Sequence, residues 1–173
     1  MTIAYRPIGV IHSPFKGVEH MPIQAAVATG VRGAIEILPE FAAGLEDLPG
    51  FSHIFLLYHF HVSGQVSLRV TPFVDARPHG VFATRAPNRP NPIGLSVVKL
   101  LRVAGTDLEI ENVDIVDGTP LLDIKPYVPE FDVHPAERIG WLQQAIGKLR
   151  DTKSDGRFRR EEGLDGDPAG SGA

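Results

Sequence analysis

The sequence predicts a mostly β protein, an antiparallel β-barrel with a C-terminal α-helix and short helical insertions. Three observations predict it. Strand-like segments, alternating or continuously apolar, recur from Ile3 to Lys125. Turn formers are dense, with 18 glycines and 15 prolines in 173 residues. The βαβα alternation of a doubly wound sheet is absent, and good helical periodicity is confined to one segment near the C-terminus.

In chain order, Ile3 to Ile11 reads as a strand, broken at Ser13-Pro14-Phe15-Lys16-Gly17, and residues 12–25 read as an ordered irregular loop. Gly33 to Leu38 alternates small or apolar with polar residues, which marks a half-buried strand. Pro39 to Leu48 forms a short helix, with a proline and a glutamate at its start and Pro49-Gly50 at its end. His53 to His61 is apolar and aromatic throughout and is expected to be buried on both faces. Gln65 to Val70, Gly80 to Thr84 and Gly94 to Val103 continue the series of strands. Asp107 to Val113 sets Leu108 and Ile110 against Glu109 and Glu111 on opposite faces, and DGTP turns the chain into LLDIK. Pro135 to Arg150 is the expected helix, with Ile139, Leu142, Ala145, Ile146 and Leu149 as its apolar stripe.

A hydrophobic share of 43% supports one core, placed in residues 1–150, with residues 151–173 as a polar disordered tail. The absence of cysteine excludes disulfides and thiolate metal sites and fits a reducing, cytoplasmic setting. The first residues lack the basic and apolar regions of a leader, and no run approaches the roughly 18 apolar residues of a membrane helix, so no membrane association is expected. Net charge is −4, yet Ala76 to Thr106 contains no acid and holds Arg77, Arg85, Arg89, Lys99 and Arg102. Such a local basic face can meet a polyanion.

The stretch ATRAPNRPNPIGLS is built for rigidity. Pro87, Pro90 and Pro92 fix φ, and each restrains the residue before it. A stiff loop loses little entropy on meeting a ligand. Arg85 and Arg89 can fork onto a carboxylate or phosphate, and Asn88 and Asn91 can read a base edge or cap the loop itself. The plainer reading is a stiff connection whose arginines pair with nearby acids. Asp117-Gly118-Thr119-Pro120 is a turn whose carboxylate and amides could hold a polar group. His53, His59 and His61 share one parity, a spacing that a strand-borne metal site would use, but no carboxylate follows within reach. No metal is expected on that basis.

RPIGVIHSPFK, LPGFSHIFLLYHFH, GVFATRAPNRPNPIGLSVV and DIVDGTPLLDIKPYVP occur in this order. Together they resemble the TsaA-like family, whose characterised members are TrmO-type tRNA methyltransferases. The resemblance covers residues 5–130. It implies a β-barrel that binds S-adenosylmethionine, acts as a homodimer and methylates N6 of threonylcarbamoyl-adenosine at position 37 of tRNA. It places Pro22, Ile23, Gln24, His61, Val62, Arg85, Leu95, Asp117, Gly118, Thr119 and Pro120 around the cofactor. Arg89, Asn88 and Asn91 are then expected at the tRNA substrate. Phe15, Phe82 or Tyr127 could stack on a base, and His61 or Asp117 could serve as general base. Two other readings remain: a non-catalytic module that binds S-adenosylmethionine or a nucleotide, and a metal enzyme centred on the three histidines.

Overall fold

Six strands close on one another in a computed structural model that describes residues 2–160. The strands in chain order are β1 (Gly9–His12), β2 (Arg32–Ile37), β3 (His53–His59), β4 (Arg69–Val70), β5 (His79–Gly80), β6 (Ile93–Ala104), β7 (Asp107–Glu111) and β8 (Thr119–Pro126). The barrel runs β1-β2-β7-β6-β3-β8 and returns to β1, with every pair antiparallel. β4 and β5 form a separate two-stranded ribbon.

Alternation sorts the side chains. Ile11, Ile35, Ile54, Leu56, Val98, Leu108, Ile110 and Leu121 point inward and are fully buried. Tyr58 continues the inward alternation of Ile54 and Leu56 into one end of the barrel, where the pairing of β3 with β8 shifts register opposite it. Gly94 pairs with Tyr58 across β3 and β6, and a Cβ at Gly94 would overlap the tyrosine ring at Cε2 and Cζ. Only glycine admits that ring.

Three expectations are corrected. β3 is buried on one face only: Ile54, Leu56 and Tyr58 are buried, His53, Phe55 and Leu57 are partly covered, and His59 is exposed. A single-walled barrel has no second layer for the outer face, where Tyr127 supplies partial cover edge-on to His53 and Phe55. The C-terminal α-helix is absent. A short α1 (Pro129–Asp132) is followed by 3₁₀ turns at Gly140–Gln144 and Ile146–Lys148. Gly140 adopts a φ of 59°, which breaks a helix before it starts. Trp141 is then drawn away, its ring stacked on His79 at 4.4 Å and its indole N–H donating to the Ala83 carbonyl at 2.8 Å.

Residues 151–160, expected to belong to a disordered tail, are tied to the barrel. His20 N–H donates to the Ser154 carbonyl at 2.8 Å, and Gly64 N–H donates to Phe158 O at 2.8 Å. Lys153 bridges Pro22, and Arg159 bridges Ser63. Phe158 meets Phe73 edge-on and packs against Val70, Val81 and Ala86. Backbone pairing and one aromatic anchor hold this polar strap. Residues 161–173 lie outside the described residues.

Candidate functional site

The end of the barrel that receives Tyr58 opens into a cavity of about 800 Å³. Four segments wall it: the loop Met21–Gln24, the chain leaving β3 at Phe60–Val62, the proline loop with the start of β6, and Asp114–Val116 with Thr119. The strap crosses it with Trp141, Leu142, Leu149 and Phe158.

The proline loop is held by its own arginine. The Arg89 guanidinium donates to the carbonyls of Val81 and Thr84, at 3.0 Å each, and so ties the loop to the preceding 3₁₀ turn. Phe60 N–H donates to Pro92 O at 2.8 Å and Ser67 N–H to Asn88 O at 3.0 Å. Arg85 is the arginine that reaches out, donating to Gln24 Oε1 at 2.8 Å across the cavity mouth. The two arginines, alike in sequence, have different work.

His61 stands on the rim, with Nδ1 3.3 Å from Thr119 Oγ1. The Thr119 hydroxyl donates to Val116 O at 2.7 Å, so the imidazole is the donor to Thr119. Partial burial, then the neighbouring His59, lowers the His61 pKa below the ordinary range. Deeper in, Ser96 Oγ donates to Asp114 Oδ1 at 2.7 Å, and Tyr58 OH lies 3.1 Å from Ser96 Oγ. Burial raises the Asp114 pKa to about 6, against the opposing bonds from Ser96 and the Ala25 backbone and the charge of Arg85. Burial also pushes the Tyr58 phenol well up, aided by the charge of Asp114.

Of the residues singled out in the sequence, Pro22, Ile23, Gln24, His61, Val62, Arg85, Arg89, Leu95 and Thr119 line this one cavity. Asp117, Gly118, Pro120, Asn88 and Asn91 are not on its wall. Asp117 accepts from Lys16 Nζ at 2.7 Å and from Ser13 N–H at 3.0 Å, and the Lys16 bond is the main reason its pKa is lowered. The carboxylate thus fastens the DGTP turn to the loop after β1, which removes it as a base in the cavity. Phe82 lines the mouth, whereas Phe15 and Tyr127 do not. The expected basic face is divided: Arg102 pairs with Glu109 at 2.6 Å, Arg77 lies 3.8 Å from Asp75, and Arg89 is turned inward. Among the described residues, no three His, Cys, Asp or Glu side chains are gathered as a metal site needs, and His53 sits near Tyr127 at the other end of β3. Sequence reasoning missed Asp114, Tyr58, Phe73 and Trp141 on the wall.

Residues 10–133, which include all four cavity segments but not the strap, match the family model of the tRNA-methyltransferase O N-terminal domain. The chain belongs to that family. This TrmO-family chain is 57% identical over 158 residues to a probable S-adenosyl-L-methionine-binding protein of Pyrococcus abyssi, covering 91% of this chain and 86% of that protein. It is 36% identical over 135 residues to the human tRNA (adenine(37)-N6)-methyltransferase, covering 73% of this chain and 30% of the human protein. The crystal structure of TrmO from Pseudomonas aeruginosa superposes with a TM-score of 0.68 at 43% identity, covering 82% of this chain and 63% of that one. The family barrel is therefore the shared part, and the chain spans less than two thirds of that solved relative.

Proposed function

We propose that this chain is an S-adenosylmethionine-dependent methyltransferase that acts on tRNA, methylating N6 of adenosine 37 in its threonylcarbamoylated form. The observation that carries the reading is the cavity itself: the family's matched region folds so that its rigid proline loop, Gln24, His61 and Thr119 face one space. Its chemistry fits such a donor. Val27, Phe60, Phe73 and Leu95 offer apolar wall to an adenosyl group, and Arg85 offers a cation to an amino-acid carboxylate. The donor, when bound, supplies an activated methyl on a positively charged sulfur. The chain binds, orients and dries the two reactants.

Gln24 and Arg85 are assigned to the donor, with Pro22, Ile23, Val62, Leu95 and Thr119 as its walls. Exposed Phe82, Ile93 and Leu95 beside the mouth support a homodimer that covers them. A cytoplasmic site of action belongs to the same reading. Calorimetry with S-adenosylmethionine tests donor binding, and mass spectrometry of tRNA nucleosides from cells lacking this protein tests the product. A protein that fails to bind the donor defeats the proposal. The names of the archaeal relatives support a second reading, a binding module without transfer. Labelled methyl reaching tRNA rules that reading out.

A further inference from the structure

We propose that Asp114 is the catalytic residue that takes the proton from the methyl-accepting nitrogen, with Ser96 and Tyr58 as its positioning residues. This assignment rests on the methyl-transfer reading above. Two carboxyl groups line the cavity, Asp114 and Asp155. Asp155 is engaged by the Arg157 guanidinium at 2.7–3.0 Å. None of the ion pairs among the described residues involves Asp114.

The surroundings of Asp114 hold the carboxylate without neutralising it. From β6, Ser96 Oγ donates to it at 2.7 Å. From β3, Tyr58 lies 3.1 Å behind Ser96; since the serine proton is committed to Asp114, the phenol donates to Ser96. The backbone N–H of Ala25 and the charge of Arg85 face it from the other walls. A chain of hydroxyls in a buried setting fixes the carboxylate's position. Burial raises its pKa to about 6, so at neutral pH it is ionised and still a competent proton acceptor.

An exocyclic adenine nitrogen is a poor nucleophile because its lone pair is delocalised into the ring. Asp114 takes the N–H proton as the nitrogen–carbon bond forms and the carbon–sulfur bond breaks with its electron pair left on sulfur. The products are the N6-methylated base, a neutral thioether and protonated Asp114, which returns its proton to water. His61 is less suited: it stands on the rim, and Thr119 takes its Nδ1.

The test pairs single-turnover transfer from labelled S-adenosylmethionine to tRNA from cells lacking this protein with calorimetry of the same donor. A wild-type protein that binds the donor but transfers no methyl removes the reaction, and the assignment with it, before any variant is made. With wild-type transfer established, Asp114→Asn is expected to slow transfer by about 100-fold or more, with donor affinity changed less than about threefold. Wild-type transfer should rise with pH through about 6 and then level off. Ser96→Ala should move that rise to higher pH, because the serine hydroxyl stabilises the ionised carboxyl. A smaller loss in Asp114→Asn, an affinity that falls in step with rate, or a profile that Ser96→Ala leaves in place overturns the assignment. Melting curves distinguish a misfolded variant, in which case the Ser96→Ala profile alone decides.

Discussion

Ser96 on β6 donates a 2.7 Å hydrogen bond to Asp114 on the cavity wall. The bond lowers the carboxyl pKa but does not cancel the effect of burial, and the pKa stays near 6. The folded chain therefore keeps a proton there in a range where the unfolded chain, with an ordinary carboxyl near 4, has released it. Folding stability falls as pH rises between these values and stays lower above them. Asp114→Asn removes the buried charge and keeps an acceptor for Ser96. The variant should be more stable than wild type at pH 8, by roughly 1–3 kcal/mol, and the difference should shrink toward pH 4. Urea unfolding at the two pH values measures it; equal offsets at both would show that the charge is not the cause.

Gly94→Ala should be among the costliest small substitutions in the barrel. The added methyl has no space, since the Tyr58 ring occupies it and Tyr58 is anchored through Ser96. Overpacking of this kind costs about 1–3 kcal/mol, and here it also pushes the ring toward the cavity. A double-mutant cycle with Tyr58→Leu checks the cause. Loss of the ring should recover part of the Gly94→Ala penalty, and strict additivity would argue that backbone strain is responsible instead.

The alternation of Asp107 to Glu111 and the apolar run of β3 were legible because strand periodicity is local. Closure of the barrel was not, since the pairing of β1 with β8 joins residues over 100 positions apart. The terminal stripe misled because five apolar residues at helical spacing say nothing about Gly140, whose positive φ ends the helix, or about His79, which captures Trp141. In the site, Arg85 and Gln24 were legible through family resemblance. Asp114 was not. It lies three residues before Asp117, and the turn signal DGTP draws attention to the acid that fastens the turn rather than the one that faces the cavity.

The two arginines of the proline loop should separate in experiment. Arg89→Ala removes bonds to two carbonyls, Val81 O and Thr84 O, and should destabilise the fold by about 1.5–3 kcal/mol. Arg85→Ala breaks one exposed bond to Gln24 and should change stability by less than about 0.5 kcal/mol. Its cost should be in donor affinity, about 1.5–3 kcal/mol for a lost charged hydrogen bond. Chemical denaturation and calorimetry on both variants make the comparison. Matching stability losses would mean that the loop depends on both arginines alike.

The strap from Trp141 to Arg160 should be releasable without unfolding the barrel. Its hold on the barrel concentrates at Phe158, packed on Val70, Val81 and Ala86, and at Ser154, bonded to the loop before Pro22. Neither contact touches the closed strand circuit. Phe158→Ala should weaken the strap by about 1–3 kcal/mol, a part of the cost of a fully buried phenylalanine, because this one is half-buried. Each 1.4 kcal/mol raises the open population tenfold, so trypsin should cut after Lys148, Arg150 or Lys153 about 5- to 140-fold faster. The barrel fragment should resist cleavage at wild-type rate, and its melting transition should persist. The single tryptophan, Trp141, reports the same event, because leaving His79 and Ala83 exposes the indole to water and shifts its emission to the red. If cleavage and barrel melting change together, the strap is part of the cooperative core, and the cavity cannot open on that side without global unfolding.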